Sequence, residues 1–144
     1  MLDENATTAR LKIVDDHIAH ESAHRLEPLL ATFGSEPEWH NTAAGDVLAG
    51  HDAIGGFYAA LFQGFPDFYL EVARKHVAAE AIVVEGHLGG THRNDWMGVP
   101  ATGRSVRIPF CAVFTFTPDD KVKAEIVYYD RLSLLTQLGA LAVP

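Results

Sequence analysis

The run Ser105-Val106-Arg107-Ile108-Pro109-Phe110-Cys111-Ala112-Val113-Phe114-Thr115-Phe116-Thr117, the turn Pro118-Asp119-Asp120-Lys121 and the return Val122-Lys123-Ala124-Glu125-Ile126-Val127-Tyr128-Tyr129-Asp130 decide the fold class. Both arms are rich in β-branched and aromatic residues, and the link carries turn chemistry, so they read as two long antiparallel strands. Upstream, Phe68–Ala79 and Glu80–His92 read as a second such pair. Ahead of these the texture is helical. Leu11, Val14 and Ile18 form one stripe, and Leu26, Leu29, Leu30 and Phe33 form another. Pro28 fits the first turn of a second helix, so a break is expected near Glu21–Arg25, with Gly34 as the stop. Pro37–Asn41 and Val47–Ala49 read as a short hairpin, and Ile54, Phe57, Tyr58, Leu61 and Phe62 recur at helical spacing up to Gly64-Phe65-Pro66-Asp67. Helices first and long strands afterwards predict an α+β fold, with helices packed on one face of a curved antiparallel sheet.

At 144 residues the chain fits one domain, 1–144, and 48% hydrophobic residues supply a sizeable core. The formal charge of −8 argues against nucleic acid or an anionic membrane as partner. Cys111 is the single cysteine, which excludes an internal disulfide or a Cys-rich zinc site; its flanks predict a buried, inert thiol. No apolar run reaches the roughly 18 residues of a membrane span, and Met1-Leu2-Asp3-Glu4-Asn5 is acidic where a secretory leader is basic. A cytoplasmic enzyme or binding module is expected.

Side chains alternate along a strand, so the apolar set identifies what shares its face. In the last strand Val122, Ala124, Ile126, Tyr128 and Asp130 fall in one phase, which places Asp130 with the core set. In the strand before the long run, Val84, Leu88 and His92 share a face. A partly desolvated carboxylate beside an imidazole suits proton abstraction next to a carbonyl. His17, His20 and His24 lie at helical spacing, but without a His-Glu-x-x-His pattern and across the expected break they read as a solvated face, and no metal is assigned. His40 is a candidate for the pocket; structural places are expected for His51, His76 and His87. No phosphate loop, dinucleotide fingerprint or nucleophile elbow is present.

Gly90-Thr91-His92-Arg93, Trp96-Met97-Gly98-Val99-Pro100-Ala101-Thr102-Gly103-Arg104, Tyr129-Asp130 and Gln137-Leu138-Gly139 together resemble the SnoaL-like polyketide cyclases, or ester cyclases, of the nuclear transport factor 2-like superfamily. The resemblance covers nearly the whole chain. It implies a cone of curved antiparallel or mixed sheet with N-terminal helices enclosing a deep pocket, and a homodimer formed through the outer sheet face. It also implies cofactor-independent ring closure of a polyketide-like carbonyl compound by intramolecular aldol chemistry, or a related isomerisation. By motif position Asp130 is the base and His92 its polarising partner, with His40 as a second histidine. Trp96, Phe57, Phe62, Phe65, Phe110, Phe114 and Tyr128 are candidate walls for a small hydrophobic or aromatic substrate. The phase of Arg107 points it outward. Two other functions are carried forward: an epoxide hydrolase using Arg93 and Asp95, and a non-catalytic module that binds a small ligand in the same cone.

Overall fold

The computed structural model describes residues 3–141. In chain order the elements are α1 (Glu4–Ser22), α2 (Leu26–Ala31), β1 (Phe33–Asn41), β2 (Asp46–Ala49), α3 (His51–Gly64), β3 (Tyr69–Val77), β4 (Ala81–Thr91), β5 (Ser105–Phe116), β6 (Val122–Tyr129) and α4 (Arg131–Leu138). The strands form one curved sheet in the order β2-β1-β6-β5-β4-β3. Neighbours pair antiparallel except β1 and β6, which run parallel, so the sheet is mixed. Among the described residues no helix is long and apolar enough to cross a membrane.

Local chemistry explains the helical breaks. Asp3 caps α1 by accepting the N–H groups of Asn5 and Ala6 at 2.9 and 3.2 Å. At the other end His24 adopts φ 56°. The His24 and Arg25 N–H groups donate back to the carbonyls of Glu21 and His20 at 3.1 and 2.9 Å. These paired bonds are a Schellman stop, so the expected break occurs, and Pro28 falls in the first turn of α2. The stop expected at Gly34 comes earlier. Phe33 already pairs with Val122 of β6 and is 4% exposed, so tertiary pairing draws Phe33 and Gly34 into β1.

The inner face of the sheet packs on the helices through Val14, Leu29, Ile54, Tyr58, Val84, Ile108, Phe114 and Leu138, none more than 1% exposed. Burying each aliphatic or phenylalanine side chain of that set stabilises the fold by about 1.5–3 kcal/mol relative to exposure. On β5 the even-numbered residues Val106–Phe114 face inward, and Arg107 points out to Glu71 at 2.7 Å, as its phase predicts. Cys111 is on the outer side and only half-buried rather than enclosed; burial still pushes its thiol upward, and the nearby charge of Glu85 adds to this.

The phase of β6 differs from expectation. Phe116 pairs with Val122 and Thr115 with Ala124, which leaves Lys123 as an extra residue. This bulge resets the alternation. Glu125, Val127 and Tyr129 therefore face inward, opposite Phe114, Ala112 and Phe110. Tyr128 turns outward and is 50% exposed. Asp130 leaves the strand altogether and becomes the N-cap of α4, so neither residue shares the core face.

Candidate active site

Between the helices and the inner sheet face lies a cavity of about 80 Å³. One water requires roughly 10–15 Å³ of such space, so the cavity admits several waters or one compact organic molecule. Its wall is largely apolar, with Trp39, Phe57, Leu61, Trp96, Phe110 and Phe114 prominent. The charged residues on that wall are Glu21 and Glu125. They are 7% and 4% exposed, and each comes from an element fixed by the features above: the last turn of α1 and the reset phase of β6.

These carboxyls belong to a buried polar network. Tyr58 of α3 donates its hydroxyl to Glu125 Oε2 at 2.8 Å. His17, fully buried on α1, places Nε2 3.0 Å from Glu125 Oε2 and 3.6 Å from Glu21 Oε2. Its Nδ1 lies 2.8 Å from Thr32 Oγ1, and that hydroxyl donates to the Leu29 carbonyl at 2.7 Å. Because the single Thr32 proton is committed to Leu29, Thr32 accepts from His17 Nδ1–H. The imidazole thus keeps its Nδ1 proton and turns Nε2 toward the carboxyls. Phe33 and Phe114 hold the ring edge-on, with centroids 5.3 and 5.1 Å away.

Burial pushes the Glu21 carboxyl well above the usual carboxylate range, and the neighbouring Glu125 charge adds to that shift. Its position in the last turn of α1 also disfavours a negative charge. Burial likewise raises the Tyr58 phenol well above its ordinary value, with the Glu125 and Glu21 charges acting in the same direction. Tyr58 therefore remains a donor. The arrangement sets a carboxyl that holds its proton tightly beside a second carboxyl that receives a hydroxyl, facing an apolar space. Pairs whose environments separate their proton affinities are suited to acid–base work.

The structure gathers some of the expected pocket residues and scatters others. Phe57, Trp96, Phe110 and Phe114 line the cavity. Phe65 lines a smaller adjoining hollow that Trp96 also bounds. Phe62 instead stacks on His24 at 4.3 Å, and Tyr128 is on the outer face. His40 lies outside the cavity, 2.9 Å from Glu38 Oε2. Asp130 accepts from the Ser133 backbone N–H at 3.1 Å and the Ser133 hydroxyl at 2.7 Å. Those bonds hold its carboxyl below the usual range. His92 is fully buried but does not line the cavity; it stacks on Phe65 at 5.2 Å. Asp130 and His92 are thus not brought together at the cavity wall. Arg93 and Asp95 are exposed, away from the cavity, which removes the basis for the epoxide-hydrolase network.

The Gly-Thr-His and Gly-Val-Pro-Ala-Thr-Gly segments build the β4–β5 connection. Thr91 is held by Asp67 through its N–H at 2.6 Å and its hydroxyl at 2.7 Å. The Thr102 N–H donates to His92 Nδ1 at 3.3 Å. Trp96 and Val99 exchange backbone bonds around Met97 and Gly98, both at positive φ, a tight two-residue turn. Trp96 is thereby turned against Gly64, where a Cβ would come within 2.9 Å of the Trp96 Cβ.

His17, Glu21 and Glu125 escaped the sequence reading. Val14, His17, Ile18 and Glu21 follow the i, i+3, i+4, i+7 spacing of one helix face, so a buried stripe carrying two polar groups was the available signal for α1. Glu125 gave no comparable signal, because its facing depends on the bulge.

An α+β cone closed by helices around an apolar cavity is the nuclear transport factor 2-like, or ketosteroid isomerase-like, fold. Residues 17–138 match the family model for SnoaL-like polyketide cyclase, and the chain belongs to that family. Among solved structures, it is similar to a candidate SnoaL-like polyketide cyclase from Jannaschia sp. CCS1, with 22% identity, TM-score 0.83 and 99% of each chain covered. It is also similar to AclR, a candidate hydroxylase from Streptomyces galilaeus, with 19% identity and TM-score 0.81 over 94% of this chain and 99% of that one. A protein with a ketosteroid isomerase-like fold from Catenulispora acidiphila DSM 44928, solved with trimethylamine, shares 19% identity at TM-score 0.76 over 92% of this chain and 97% of that one. At these identities the likenesses establish the fold. No protein of curated function matches at a significant level.

Proposed function

We propose that the protein catalyses proton transfer beside the carbonyl of a compact, largely apolar compound, leading to aldol-type ring closure or isomerisation. The observation that carries this reading is the pair of buried carboxyls, Glu21 and Glu125, on the wall of an otherwise apolar cavity. Glu125, supported by the Tyr58 hydroxyl, is the base. It removes the α-proton and becomes the carboxylic acid. Protonated Glu21 donates a hydrogen bond to the developing enolate oxygen. In an isomerisation Glu125 returns its proton to a different carbon; in ring closure the enolate carbon attacks a second carbonyl and the alkoxide takes the proton. Trp96 adds a further donor for a substrate oxygen: its indole N–H is buried without a partner among the described residues, and the residue lines the cavity.

In this reading Asp130 and His92 serve the frame, one capping α4 and the other filling the β4–β5 connection. Exchange of α-protons for deuterium, followed by NMR across a panel of cyclic ketones and keto-esters, tests the proposal whichever member of that class is the substrate. Glu125→Gln is expected to slow exchange on the order of 10²–10⁴-fold. Asp130→Asn keeps a capping side chain and should leave the rate near that of the wild type. A loss confined to Asp130→Asn would return the base to Asp130. Ligand binding with no exchange in any variant would favour the binding module. We also propose that two copies pair through the outer sheet face, where Tyr128 is exposed.

A further inference from the structure

We propose that His17 Nε2 and the carboxylates of Glu21 and Glu125 form a site for one divalent zinc-like metal ion. One donor atom from each of the three lies within 4.8 Å of the others. A four-coordinate zinc ion with bonds of about 2.0–2.1 Å separates neighbouring donors by roughly 3.3 Å. His17 Nε2 stands 3.0 Å from one carboxylate and 3.6 Å from the other, on either side of that spacing.

A second, independent observation is the histidine itself. His17 is 0% exposed, and among the described residues its Nε2 makes no hydrogen bond of acceptable geometry despite having a carboxylate oxygen nearby. Thr32 engages Nδ1 and leaves Nε2 as the ring nitrogen that faces the two carboxyls, the geometry in which an imidazole joins a metal site. The Thr32 bond to His17 and the Tyr58 bond to Glu125 are the supports that orient metal ligands in built sites. A dication that displaces the Glu21 proton would neutralise the two carboxylates it then meets on the apolar wall. Both face the cavity, which leaves room for a fourth ligand, a water or a substrate oxygen. His20 and His24 do not join the set: His24 is in the helix break and bonds the Phe68 carbonyl at 2.9 Å.

This inference stands on geometry and does not depend on the reaction proposed above. A bound ion would occupy the carboxylates that the reaction uses, so zinc should suppress deuterium exchange. The full chain, stripped with chelator, is titrated with Zn²⁺ by calorimetry and with Co²⁺ by visible absorption. The expected result is one ion per chain, with the absorption of four-coordinate cobalt. Glu21→Gln and Glu125→Gln should each weaken binding by about tenfold or more, since even the outer partners of metal ligands are worth 10–100-fold. His20→Asn and His24→Asn should leave binding intact. Circular dichroism of each variant separates lost binding from lost folding. Failure to bind either ion, or equal binding by the folded Glu21→Gln and Glu125→Gln variants, overturns the site. Exchange measured on the metal-free protein reports on the proposed reaction separately, so either reading can fail alone.

Discussion

Tyr58→Phe removes one oxygen from the centre of the molecule and leaves the ring in place. Tyr58 is 1% exposed, and its hydroxyl is a donor to a Glu125 carboxylate that is itself 4% exposed. A hydrogen bond to a charged group contributes about 1.5–3 kcal/mol, and a buried acceptor deprived of its donor bears its desolvation cost. For a domain near this size, 1 kcal/mol moves Tm by about 2–4 °C, so the variant should melt roughly 3–12 °C lower. The decisive assay is a double-mutant cycle in denaturant, with Tyr58→Phe, Glu125→Gln and the pair measured in metal-free buffer. If the hydroxyl acts through Glu125, the two losses should overlap strongly. Additivity within about 0.3–0.5 kcal/mol would show that the groups are uncoupled and would refute the network.

Glu21→Gln tests the raised proton affinity of that carboxyl in metal-free buffer. The folded carboxyl binds its proton more tightly than the unfolded chain does, so the associated stability is fully present below about pH 4.3 and is lost as pH rises through the raised folded value. Wild-type stability should therefore fall across that window by at most about 1.4 kcal/mol per pH unit, and the variant should flatten the fall; an unchanged slope in urea unfolding would count against the assignment. Gly64→Ala improves helix propensity yet brings a Cβ to 2.9 Å from Trp96, so tryptophan emission and ligand affinity should change together while helix content holds. Tyr128→Lys should shift sedimentation from dimer to monomer at unchanged stability if the outer sheet face is the interface.

The elements were legible where local chemistry decides them. Alternation announced the long strands β4 and β5, and Pro28 with the break before it announced two helices. The parallel pairing of β1 with β6 had no local signature, because it joins the first strand of the chain to the last. Helix α4 went unread, although Asp130 and Gly139 are its caps in the usual positions. The site was the least legible part. Strict alternation carried Asp130 inward, and a single extra residue at Lys123 exchanged Tyr128 and Asp130 for Glu125 and Tyr129. The histidine row on α1 read as a solvated face because two of its members flank the break, whereas His17 is turned into the core. Motif residues such as Thr91, His92 and Thr102 proved to bond one another or Asp67, holding the connection that delivers Trp96.

The hydrogen bond from Tyr58 to Glu125 spans 67 positions along the chain, and Glu125 lies on the last strand, clasped between β1 and β5. During synthesis, every earlier segment can be complete while the buried cluster of His17, Glu21, Tyr58 and Glu125 does not yet exist. Until β6 inserts, Glu21 and His17 have no Glu125 carboxyl beside them. Joining such distant segments carries a loop-closure cost that local helices and hairpins avoid. The buried polar cluster on the cavity wall is therefore completed only when the last strand pairs, and a chain stalled before that step lacks it.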